Sequence, residues 1–67
     1  MKSNQERQNI WRLLEQGRKE VNRLENDLRE YEQQGMQNSF FYKDTKQQLL
    51  STYELIAQLN IELRKVA

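Results

Sequence analysis

Apolar residues recur in alternating steps of four and three along both halves of the chain. In the first half they are Ile10, Leu14, Gly17, Val21, Leu24, Leu28 and Tyr31, with Gly17 occupying one stripe position. In the second they are Tyr42, Thr45, Leu49, Thr52, Ile56, Leu59, Leu63 and Val66, the two threonines again filling stripe positions. This is the seam of a heptad repeat, and such a seam is stable only when another helix covers it. Gly35 stands between the stripes, and no proline interrupts either one. The pattern therefore predicts an all-α fold: an antiparallel helical hairpin of two long helices joined by a coiled-coil-like seam. One domain spans 1–67, with helix 1 over about 4–34, a turn at 35–39 and helix 2 over about 40–66.

The local signals agree with those bounds. Ser3-Asn4-Gln5-Glu6 fits a capping box, in which a hydroxyl and a carboxylate satisfy free N–H groups at a helix start. Gly35 can adopt the left-handed conformation that closes a helix, and Ser39 or Asn38 can cap the next one. Asp44 with Gln47 offers a later start, which Tyr42 and Thr45 oppose because they already hold the seam register. A connection of four or five residues makes the helices antiparallel neighbours. Partners across the seam then have residue numbers adding to about 73, which sets Leu24 near Leu49 and Gly17 near Ile56. Glycine inside a helix costs about 1 kcal/mol relative to alanine, so Gly17 is expected where Ile56 or a neighbouring helix approaches closely. Glu15 with Lys19 and Glu25 with Arg29 are spaced for ion pairs along helix 1.

Helix 2 differs from helix 1 in being apolar on two sides. Leu50, Ala57 and Ile61 lie nearly opposite its seam with Tyr53 and Leu55 on the flanks, and a helix apolar on both sides is usually buried on both. Size points the same way, because a core in 67 residues rarely supplies more than about 3–5 kcal/mol without added support. Cysteine and histidine are absent, which excludes disulfides and the common zinc sites and leaves self-association. Leu50, Tyr53, Ala57 and Ile61 are thus the expected dimer interface, giving a four-helix bundle with helix 2 inside. Trp11 and Leu13 flank the seam at the open end, where they are expected to widen the core against Leu63 and Val66. Trp11 is also a candidate binding anchor, since tryptophan is enriched at interface hot spots. At the hairpin tip Phe41 and Tyr42 are expected to close over Tyr31. Phe40 points outward there and, with Met36, forms a candidate partner-binding patch.

Catalysis has little to work with. No nucleophile–base pair, phosphate loop or metal-ligand spacing occurs, and Asp27, Glu30 and Glu54 read as solvated carboxylates. No catalytic residue, metal site or cofactor is expected, and the chain is read as a non-enzyme. Eleven basic against ten acidic residues give a net charge of +1, so no global field draws it to nucleic acid or an anionic membrane. Its longest apolar runs fall far short of a membrane span, and no apolar stretch follows Lys2 to make a signal peptide. The cytoplasm, or the inside of a virion, is the expected location. Arg12, Lys19 and Arg23 form a polar strip on helix 1 that a dimer would present twice, the alternative being an RNA- or DNA-binding bundle. Nearby Glu15, Glu20, Asp27 and Glu30 oppose phosphate there, and nucleic acid is the less favoured partner. The favoured expectation is a small protein–protein interaction module, a regulator, inhibitor or adaptor that docks onto an unidentified protein. Small proteins of phages and mobile elements are often of this type.

Overall fold

The computed structural model describes residues 2–66, with side chains described from Asn4 to Val66. It contains two helices, α1 over Lys2–Gln33 and α2 over Phe40–Val66, packed antiparallel into a rod of 51 × 14 × 12 Å. α1 starts two residues ahead of the expected position. The expected capping box rests on Ser3, whose side chain lies outside the described residues.

The turn is closed by hydrogen bonds from both sides. Gly35 has φ +70°, the left-handed conformation, while its N–H donates to Glu32 O at 3.1 Å and Met36 N–H donates to Tyr31 O at 2.8 Å. These two crossing bonds satisfy carbonyls that the end of α1 would otherwise leave free. On the other side Ser39 Oγ accepts from Tyr42 N–H at 3.2 Å, and Ser39 O accepts from Lys43 N–H at 3.2 Å. Ser39 is therefore the cap of α2, and the later start at Asp44 is not used.

All fifteen stripe positions are buried or half-buried, and none is exposed. Leu14 and Leu24 are fully enclosed, with Leu59 and Thr45 nearly so. Thr52 occupies its place in the seam by donating its hydroxyl back to Gln48 O at 2.8 Å. Three contacts fix the register. Arg7 Nη2 donates to Val66 O at 3.3 Å at the open end, and Tyr42 Oη donates to Glu32 Oε2 at 2.9 Å near the tip. Between them, a methyl group placed on Gly17 would lie 3.0 Å from Ile56 Cγ1. In each pair the residue numbers add to 73 or 74, as the stripes require.

Gly17 thus sits where α2 comes close to α1, and its substitution sets two effects against each other. Alanine gains about 1 kcal/mol of helix propensity but meets Ile56, whose β-branched side chain turns reluctantly. Gly17→Ala should therefore be more favourable in an Ile56→Ala background than in the unmodified chain, by about 1 kcal/mol of coupling. Urea denaturation of the four proteins measures it. Simple additivity would mean that the close approach has no energetic consequence.

Three expectations need correction. Phe41 does not close the bundle over Tyr31: it is 62% exposed. Eighteen residues, or five turns, separate it from Leu59, which has the same angular position and is 8% exposed. The difference is what lies opposite. Leu59 faces the long apolar seam of α1 near Leu14, whereas Phe41 faces the polar last turn of that helix at Glu32 and Gln33. Trp11 and Leu13 widen the core only in part, since about half of each remains in solvent. The ion pairs also differ: among the described residues they join Arg23 to Glu20, Arg23 to Asp27 and Lys65 to Glu62, so Glu15–Lys19 and Glu25–Arg29 are not formed. Glu25 instead accepts a hydrogen bond from Tyr53 across the hairpin.

Candidate functional site

The outward face of α2 carries a row of apolar side chains at helical spacing. Leu50 is 52% exposed, Ile61 is 45% exposed, and Ala57 lies exposed between them. Tyr53, expected in the same row, leans toward α1, and its Oη donates to Glu25 Oε2 at 3.3 Å. Beside it an open groove runs between the helices, lined by Arg18, Val21, Asn22, Tyr53 and Ile56. Arg18 also borders a second shallow groove with Gln8, Trp11, Arg12 and Glu15. The surface on this side of the hairpin therefore passes without a break from α2 to the Trp11 region of α1. A helical wheel separates Trp11 from the α2 row, because a wheel drawn for one helix shows nothing of the groove between two.

The tip carries a separate patch. Phe40 is 74% exposed and meets Phe41 edge to face, with ring centroids 6.0 Å apart. Met36 is half-buried in the turn. The aromatic pair, more than Met36, supplies the apolar surface there. At 100° per residue Phe41 lies roughly 180° and Phe40 roughly 80° around α2 from the centre of the Leu50–Ile61 row, so a partner seated on that row leaves the Phe41 ring uncovered.

The strip of Arg12, Lys19 and Arg23 is interrupted by acidic side chains. Arg23 lies between Glu20 and Asp27 and bonds to both, which lowers the Glu20 carboxyl below its ordinary pKa and raises that of Arg23 further. Arg12 shares its groove with Glu15. Among the described residues no group of acidic, histidine or cysteine side chains could hold a metal ion. Nor is any described helix long and apolar enough to cross a membrane.

Two tyrosine phenols span the hairpin to carboxylates, and both are pushed above the ordinary tyrosine value. For Tyr42 the leading cause is the hydrogen bond to Glu32. For Tyr53 it is partial withdrawal from water, followed by the charge of Glu25 and the bond to it. A phenol whose pKa is higher in the folded chain adds stability that is complete below the unfolded value, about 10. That contribution is lost as pH rises through the folded value. The hairpin should therefore lose thermal stability above about pH 10, and Tyr42→Phe with Tyr53→Phe should reduce the loss. Melting curves between pH 8 and 11 measure both, and identical pH profiles for the two proteins would refute the role given to these bonds.

No family model, no curated protein and no solved structure matches the chain. The functional reading therefore rests on the two apolar surfaces and the charges around them.

Proposed function

We propose that the protein is a non-enzymatic protein–protein interaction module. It forms a homodimer through the outer face of α2 and docks onto a different protein through its tip. The observation that carries this reading is that a two-helix chain keeps two separate apolar surfaces in water, one at its tip and one along the outer face of α2. One dimer contact can cover the Leu50–Ile61 row, but the Phe40–Phe41 pair then remains free for a second partner. Exposed apolar patches of this kind commonly mark binding surfaces. The absence of a deep enclosed pocket and of a charge relay among the described residues suits docking better than catalysis.

Phosphate recognition is the weaker reading, since Arg23 is engaged by two carboxylates and Glu15 lies beside Arg12. The discriminating variant is Phe40→Ala with Phe41→Ala. We expect unchanged helicity, a melting temperature within a few degrees of the unmodified protein, and loss of the protein partner retained from source-cell extract. A large fall in melting temperature would instead make the pair a structural closure. Salt-sensitive RNA or DNA binding abolished by Arg12→Gln, Lys19→Gln and Arg23→Gln together would reverse the ranking.

A further inference from the structure

The charges of α1 are arranged against its own helix dipole. Helix N-termini favour acidic side chains and C-termini basic ones, yet α1 has no acid in its first turn and no base in its last. The imbalance extends along the whole helix. Residues 2–19 carry five basic side chains against two acidic, a net of +3, whereas residues 20–33 carry five acidic against two basic, a net of −3. α2 has Arg64 and Lys65 in its last turn but no acid in its first, and its residues 54–66, with two acids and two bases, leave the charge beside the basic half of α1 unchanged. The rod is electropositive toward its open end and electronegative toward its tip. This pattern does nothing for an isolated α1.

We infer that a second copy of this chain packs side by side and antiparallel on the face formed by Leu50, Ala57 and Ile61 of α2 with Trp11 and Arg18 of α1. The basic half of each α1 then lies along the acidic half of its mate. The inference rests on the dimer reading above and adds its orientation. Arg18 lines both the Trp11 groove and the groove beside Tyr53, so a copy seated on this face reaches α1 as well as α2. The α2 helices meet at about 8–10 Å with the α1 helices outside them, so the charge halves act across the pair most strongly at low salt, where the Debye length is about 30 Å at 0.01 M. A parallel dimer would set +3 against +3 and −3 against −3.

Two independent features place the two-fold axis at one level. The Leu50–Ile61 row is centred between Leu55 and Ile56, and the change of sign on α1 falls between Lys19 and Glu20. By the observed register that change lies opposite Tyr53 and Glu54, two residues or about 3 Å from the centre of the row. An antiparallel mate would therefore satisfy the apolar row and the charge halves together. A stable dimer needs about 800 Å² from each copy, roughly one-seventh of the hairpin's 5393 Å², and a helix face some 40 Å long supplies an area of that order.

The chain has no cysteine, so Asn38→Cys in the exposed turn places one nitroxide label at the tip of each copy. Antiparallel packing about the inferred axis predicts a label-to-label distance of about 50 Å by pulsed electron resonance. A dimer with labels closer than about 25 Å would overturn the orientation while leaving dimerisation intact. A chain that remains monomeric would leave the face to a different protein and overturn both. Arg12→Glu, Arg18→Glu and Lys19→Glu together turn the basic half to net −3 while suiting the dipole of α1. We expect the dimer dissociation constant to rise at least tenfold at low salt, with the difference shrinking in 1 M salt. An unchanged constant would also refute the charge alignment.

Discussion

Leu24→Ala should lower the stability of the hairpin by about 2–5 kcal/mol, the range for deleting a fully buried leucine side chain. Leu24 is 1% exposed and sits in the middle third of the seam, where neither helix end can shift to fill the void. The same change at Leu14, which is also fully enclosed, should cost a similar amount. Leu49 stands opposite Leu24 in the register but is only half-buried, so its truncation should cost less. A core of this size supplies only about 3–5 kcal/mol in total, so Leu24→Ala should leave much of the chain unfolded at 25 °C. Circular dichroism against urea concentration gives the ranking. Equal midpoints for Leu24→Ala and the unmodified chain would show that the seam is not the core.

Leu50→Asp or Ile61→Asp should turn the dimer into a monomer of reduced stability. Each side chain is about half in water in the single hairpin, so aspartate there is tolerable when the chain is alone. In the dimer it would bury a carboxylate among apolar groups with no partner, a cost of about 3–5 kcal/mol. That corresponds to a dissociation constant raised a hundredfold or more. The α1 seam is untouched, so helical signal should persist at low temperature while the melting midpoint falls. Leu55→Asp is the control, because Leu55 is equally exposed but lies on the far side of α2. If all three variants dimerise alike, the Leu50–Ile61 row is not the contact.

The sequence made the hairpin legible because a heptad seam is a long, redundant signal. Fifteen positions repeat it, and Gly35 and Ser39 mark its turn with one chemical requirement each, a positive φ and a side-chain oxygen facing a free N–H. Gly17 opposite Ile56 could be anticipated for the same reason, since a costly residue in a seam needs a close neighbour to account for it. Phe41 could not, because a helical wheel treats every turn as if the partner helix continued beyond it. The ion pairs were hard to assign for a different reason. Exposed charges on one helix have several partners within reach at nearly equal energy, and Arg23 takes Glu20 and Asp27 where spacing alone favoured other pairs. The groove beside Tyr53 belongs to neither helix alone and appears only when the two are set together. The sign change along α1 was present in the sequence throughout, but an overall charge of +1 conceals it.

Sedimentation equilibrium of the unmodified protein, from about 1 μM to 1 mM, tests the central claim most directly. The account predicts a reversible monomer–dimer equilibrium that reaches twice the 8.2 kDa chain mass within that range. A well-folded monomer across the whole range would contradict it.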